Sequence, residues 1–287
     1  MKKLLSLLLV ICSLCLCLGL TACGSTEPKV KLIDVKLTDE NYAFVLKKGN
    51  TELKDDFNAY LAEIKENGTF DAIVAKYFEG VGEKIGYTVA TDYEASENTA
   101  ENFVVATNCP FEPFEYIQVD GKIYGIDMEI AAGYAESKGL NLVIKNIPDF
   151  DAIFTQVQAG YADIGMAGIT ITETRLESYD FTETYYAASQ KIIVAADCTD
   201  FDACETVEDV EAVLAALEGK SIGFQTGTTG NWYVVGDEDW GYDGFANVTS
   251  KGYKTAQLAV TDLINGNLYA VVVDEAPAAA LVNAFNK

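Results

Sequence analysis

No histidine occurs among the 287 residues, and beyond residue 23 no Cys-x-x-Cys pair. Without imidazole a His-based catalytic triad cannot be assembled, and without imidazole or closely spaced thiols there is no ordinary zinc site. Positive charge is also short. Twenty lysines and arginines face 44 aspartates and glutamates, a formal net charge of −24. So acidic a surface repels nucleic acid and anionic membrane, which removes both as partners of the folded part. No second membrane segment, signalling domain or added catalytic domain stands out, and no cofactor is expected. Disorder is excluded from the other direction. Hydrophobic residues make up 49% of the chain and aromatics 11%, enough for a packed core across two medium domains.

What is present begins with a leader. Lys2 and Lys3 precede the apolar run LLSLLLVICSLCLCLGL, which ends at LTAC, Leu20 to Cys23. A basic start, a short apolar run and a small-residue stop predict a signal peptide over residues 1–22. LTAC is similar to a bacterial lipobox, in which the cysteine is diacylated and becomes the first mature residue. Lipidation of Cys23 follows, with a tether over 23–29 and a position on the extracytoplasmic face of the cell membrane. The alternative is ordinary cleavage near Ala22 with Cys23 left free. Cys12, Cys15 and Cys17 leave with the leader. Cys198 and Cys204 could bridge across a loop or remain thiols.

Residues 30–41 alternate and predict a strand, YAFVLKK (42–48) a second. TELKDDFNAYLAEIKENG predicts an amphipathic helix with Phe57, Leu61 and Ile64 on one face, and TFDAIVAKYF a second helix. Residues 79–101 hold no period and predict a linker. From 102 onward strands and helices alternate, which argues for α/β with largely parallel sheets.

Arginine is scarce, and Arg175 closes the small, hydroxyl-rich stretch MAGITITETR (166–175). Gly168 permits close backbone approach, Thr170 and Thr172 can donate, and the planar fork of Arg175 matches a carboxylate. Read alone, the stretch is equally a strand end followed by a capped helix, with Arg175 in a surface ion pair.

Six motifs in order then carry a resemblance. ATNCPFEPFEY, GIDMEI, AGYADIGMAGITITETR, FTETYY, GKSIGFQTGTTG and AVVVDEAPAAA resemble successive signatures of the polar amino-acid family of ABC-transporter solute-binding proteins. The resemblance implies an α/β, two-lobed periplasmic-binding-protein-like fold of type II. Two crossing strands would join its lobes, which close on ligand. KIIVAA (191–196) matches the first passage, expected to run beside residues 42–48. The second passage and the helical tail are missing after VNAFNK, yet residues 30–78 resemble that missing segment. We therefore expect circularly permuted connectivity. Lobe 2 comprises 30–43 and 195–287, lobe 1 comprises 44–78 and 102–194, and 79–101 joins the former termini. A fused fragment and a domain-swapped dimer are the alternatives.

The same resemblance assigns roles. Phe111 and Phe150 would sandwich the ligand. Ala167 lies beside Gly168, whose carbonyl, with the Thr170 hydroxyl, would hold the α-ammonium or carboxylate. Arg175 and the backbone N–H groups of Thr228 and Thr229 would bind the α-carboxylate, and Asp274 the α-ammonium. Asn108 and Gln225 would read the side chain. Asn108 stands where family members taking cationic ligands often have an acid, so the expected ligand is a free L-amino acid with a polar, uncharged side chain. Glu112, Glu115 and Asp151 are near enough to change that if they turn inward. The implied function is a lipid-anchored binding protein delivering to an ABC permease, not an enzyme. A binding subunit for a membrane sensor and an enzyme on the same fold are the alternatives.

Overall fold

The computed structural model describes residues 27–91, 99–238 and 240–287. The expected signal peptide and lipidation site Cys23 lie outside them, as do the first part of the expected tether and residues 92–98 of the expected linker. Among the described residues no helix is long and apolar enough to cross a membrane.

Strands β1 (Val30–Ile33), β2 (Glu40–Tyr42) and β3 (Val45–Lys47) lead into helices α1 (Thr51–Glu66) and α2 (Thr69–Phe78). α1 starts where the Asn50 side chain accepts the Leu53 N–H, and it buries Phe57, Tyr60, Leu61 and Ile64 along one face, the i, i+3, i+4, i+7 pattern of an amphipathic helix. Next come β4 (Asn102–Thr107), the short hairpin β5 (Tyr116–Ile117) and β6 (Ile123–Tyr124), α3 (Ile126–Lys138), β7 (Asn141–Asn146), α4 (Ala152–Gln158), β8 (Ile164–Gly165), α5 (Glu173–Ser178) and β9 (Tyr179–Phe181). The chain continues through β10 (Tyr186–Ala188), β11 (Gln190–Ala195), α6 (Val207–Ala216), β12 (Ser221–Gln225), α7 (Thr229–Val235), β13 (Thr249–Tyr253), α8 (Ala256–Ile264), β14 (Ala270–Asp274) and α9 (Glu275–Phe285).

Two five-stranded sheets define the two lobes. One runs β7-β4-β8-β3-β9 and the other β1-β11-β14-β12-β13. Each is parallel on one side only: β7, β4 and β8 are parallel, as are β14, β12 and β13, whereas β3 pairs antiparallel with β8 and β9, and β11 antiparallel with β1 and β14. The expectation of largely parallel sheets is corrected accordingly. The antiparallel members are the strands next to the passages between lobes, where the chain returns rather than crossing over a helix.

Those passages lie at 34–44 and 182–189. There β2 pairs antiparallel with β10, placing Tyr42 opposite Tyr186, and the Leu37 N–H donates to the Gln190 carbonyl. KIIVAA was expected beside residues 42–48 as a passage. It is instead β11, an interior strand of the second sheet, so that lobe gains its strand before the expected boundary at 194. Ile192, Ile193 and Val194 are completely buried, and a strand apolar on both faces belongs inside a covered sheet. β8 is only two residues long, and beyond it the chain turns at Gly168 with φ +54°.

Residues 51–78 pack on the lobe that contains β4. Phe57 meets Phe44, Tyr60, Phe103 and Tyr134 at ring-centroid distances of 4.6–6.1 Å. The Tyr134 hydroxyl donates to Asp56, and Lys76 and Tyr77 both bond Glu129. In the second lobe, the Lys29 N–H donates to the Asn286 side chain at 2.8 Å, which returns a bond to the Val30 carbonyl.

Candidate functional site

The strand ends of the two sheets face one another across a small cavity lined by residues of both lobes. Carboxyl ends of strands are where open α/β sheets place ligands, and β4, β12 and β14 each end at this wall. Their next or last residues, Asn108, Gln225 and Asp274, line it.

Arg175 is the chain's single arginine. Thr172 caps α5, accepting the Arg175 N–H at 3.2 Å, and this fixes where the side chain leaves the helix. The capped-helix alternative is therefore true of Thr172, which does not donate into the cavity, while Arg175 is no surface residue. Its side chain is buried. Nη1 donates to the Thr170 carbonyl at 2.7 Å and Nη2 to the Gly227 carbonyl of the other lobe at 3.2 Å. Phe150, Phe154 and Trp232 surround the guanidinium at 4.8–5.5 Å. Burial lowers its pKa to about 10, opposed by Glu40, Asp151 and Asp274. It is a cation at neutral pH, and two of its five donors are occupied.

Opposite it, Thr228 caps α7, its hydroxyl donating to the Gln225 carbonyl and accepting the Asn231 N–H. The first-turn N–H groups at Thr228 and Thr229 have no acceptor within the helix. Phe111, Phe150, Ala167 and Gly168 complete the apolar wall. A side chain at Gly168 would meet the Phe111 ring at 2.6 Å as well as face its positive φ, so only glycine fits.

Acids gather at the other end. Asp274 is buried, and its Oδ2 accepts the Tyr42 hydroxyl at 2.5 Å. Burial, with Glu40 nearby, pushes it up to about 7. Asp127 lies behind the wall, accepting the Gly168 N–H and the Tyr185 hydroxyl, and burial raises it to about 7. Glu115 lines the cavity, is fully buried, and neither carboxyl oxygen has a hydrogen-bond partner among the described residues. Burial, then Asp127 and Asp274, hold its pKa well above the usual carboxylate range.

The eleven residues given ligand-contact roles by the resemblance line this one cavity, together with Glu115. Of the three nearby acids, only Glu115 turns inward, whereas Glu112 and Asp151 are exposed. Asn108 and Gln225 are engaged with each other: Gln225 Nε2 donates to Asn108 Oδ1 at 2.8 Å across the cleft, and Asn108 Nδ2 to the Ile147 carbonyl. Thr170 also differs from expectation. Its hydroxyl donates away from the cavity, to Glu40 at 2.6 Å. Sequence reasoning missed Glu40 and Tyr42, which sit in an acidic stretch that reads as an ordinary strand. Cys109, Cys198 and Cys204 are unpaired. Among the described residues no cluster suited to a metal ion occurs.

A family model described as bacterial extracellular solute-binding proteins, family 3, matches residues 20–80 and 103–286. The chain is 29% identical over 182 residues to a probable histidine-binding protein of Neisseria gonorrhoeae, covering 62% of this chain and 61% of that one. Among solved structures, it is similar to the arginine-bound form of truncated ArgBP from T. maritima, with 30% identity, a TM-score of 0.54 and coverage of 64% and 78%. It is also similar to an ancestral arginine-binding protein bound to glutamine, with 31% identity, a TM-score of 0.54 and coverage of 65% and 75%. The chain spans between 47% and 61% of the length of the first curated relatives it matches. It belongs to the bacterial extracellular solute-binding proteins, family 3.

Proposed function

We propose that this member of the family captures a free L-amino acid with a cationic side chain between its closing lobes and passes it to an ABC permease. The observation that carries the ligand class is Glu115: a buried carboxyl without a partner, facing a cavity that already offers Arg175 for a carboxylate and Asp274 for an ammonium. A zwitterion uses the last two. A second cation on the ligand gives Glu115 the partner whose absence is costly. This departs from the uncharged ligand read from Asn108 and Gln225, whose amides are taken up by one another. The names of the relatives, for histidine and arginine, agree. An uncharged polar ligand such as glutamine is the second reading, favoured by those two amides should the ligand separate them, and by the glutamine held in the ancestral protein.

Ligand binding is the activity proposed, with no chemical step, in keeping with relatives named as binding proteins. Attachment through a lipidated Cys23 at the extracytoplasmic face completes the reading, supported by the lipobox-like LTAC, and radiolabelled palmitate incorporation that survives Cys23→Ser would refute it. The permuted order is proposed on the packing of 51–78 against the first lobe and the adjacency of Lys29 and Asn286. A chain rejoined to run 102–287 and then 30–78 should fold and bind as the natural order does, and failure to fold would count against it. A thermal-shift screen of the twenty amino acids tests the ligand class. Stabilisation by arginine, lysine or histidine above glutamine is expected, and a glutamine-only response selects the second reading.

A further inference from the structure

One carboxylate behind the cavity wall has an unusual set of partners. Glu40, on β2 in a passage between lobes, is 3% exposed. Oε1 accepts the Thr38 hydroxyl at 2.7 Å and Gln190 Nε2 at 3.1 Å, and Oε2 accepts the Thr170 hydroxyl at 2.6 Å and the Thr229 hydroxyl at 2.9 Å. Four donors fill the lone-pair positions of the group. Thr170 comes from the first lobe and Thr229 from the helix start of the second, so the closed arrangement is what brings both to one oxygen.

We propose that Glu40 is a positioning residue that sets the hydrogen-bond polarity of the amino end of the site, and so the preference for an α-ammonium over an α-hydroxyl. This rests on the reading of the cavity as an amino-acid site. A hydroxyl has one proton and two lone pairs, and a carboxylate can only accept. Each threonine proton is therefore committed to Glu40. The oxygen of Thr229 also accepts from Gln190 Nε2 at 3.0 Å. Thr170 Oγ1 is left to present lone pairs to the cavity it lines. On the same side Asp274 presents a carboxyl whose Oδ2 already accepts Tyr42. A group with three donors and no acceptor, an ammonium, suits such a pair. An α-hydroxyl has one donor to offer them. The geometry also turns the Thr170 hydroxyl, read from sequence as a donor, into an acceptor at the cavity.

Glu40→Gln keeps the shape and reverses half the polarity. Where the amide N–H groups face Thr170 and Thr229 they donate where an oxygen accepted, and the threonine protons swing toward the cavity. Titration calorimetry with L-arginine and with its 2-hydroxy analogue, 2-hydroxy-5-guanidinopentanoate, reads the consequence. In Glu40→Gln, arginine should weaken roughly ten- to hundredfold while the hydroxy acid, whose O–H can turn either way, changes by less than about threefold. Equal losses for both compounds would assign Glu40 a merely structural role and overturn the proposal. If Glu40→Gln does not fold, Thr170→Val tests the same point. It should lose the preference for arginine over the hydroxy acid, and retention of that preference would equally overturn it. Should the natural protein bind glutamine instead, glutamine and its 2-hydroxy analogue are the pair used. Binding of no amino acid by the natural protein would sink the amino-acid reading itself and this proposal with it. Binding with an unchanged ratio in the variants sinks this proposal alone.

Discussion

Arg175 joins three partners that lie far apart in sequence: the Thr170 carbonyl in its own lobe, the Gly227 carbonyl in the other, and an aromatic enclosure. A lysine offers a point charge and cannot span both carbonyls while facing an anion. Arg175→Lys should weaken amino-acid binding by roughly a hundredfold, on the scale of two lost charge-assisted bonds. Calorimetry checks this, with circular dichroism to confirm folding. The acids give a pH signature. Asp127 and Asp274 have folded pKa values raised to about 7, so below that pH the folded state holds more protons than the unfolded one, and these two groups destabilise the ligand-free protein as pH rises from about 4 through 7. Surface carboxylates held down by lysines, such as Asp56 and Glu275, run the other way. The clean readout is therefore the ligand-induced rise in melting temperature. It should be larger at about pH 8 than at about pH 5, because an ammonium beside Asp274 removes the penalty of its charge, and Asp274→Asn should flatten the difference. Legibility at this scale followed sequence locality. Arg175, Thr170 and Gly168 fall within one motif. The roles of Glu115 and Glu40 depend on what faces them, and Glu40 meets Thr170 and Thr229 from 130 and 189 residues away.

Among the elements, helices were legible and passages were not. α1 announces itself by its apolar face and α6 by a capping box between Thr206 and Asp209. The passages between lobes have no such mark. The apolar run at 191–196 looked like a connection because the resemblance put it there. Burial on both faces makes it a sheet strand, and the pairing of Glu40–Tyr42 with Tyr186–Ala188 supplies the crossing instead. β13 went unread, since TSKGY is half-exposed and carries no apolar alternation. α1 also fixes where residues 51–78 belong. Phe57 is fully buried among the rings of Phe44, just before β3, Phe103 of β4 and Tyr134 of α3. Phe57→Ala should destabilise the protein by about 3–5 kcal/mol, measurable by urea unfolding, and the loss should appear in the lobe that carries β4. A cost below about 1 kcal/mol would place this helix outside that core.

For the whole molecule, the two lobes are held in the closed arrangement by few direct bonds: Arg175 to Gly227, Gln225 to Asn108, the threonines on Glu40, and the exposed pair Lys254–Asp149. A ligand contacting both sides adds differential stabilisation to this state, the requirement for closure on binding. The central claim is that the added contacts include a cation on Glu115. L-arginine and L-citrulline differ in that charge and little in shape. Calorimetric titration of both against the natural protein and Glu115→Gln tests it most directly. The account predicts that the natural protein binds arginine at least about tenfold more tightly than citrulline and that Glu115→Gln removes most of the difference. Equal affinity for the two compounds in the natural protein, or a preference for arginine that survives Glu115→Gln, would contradict it.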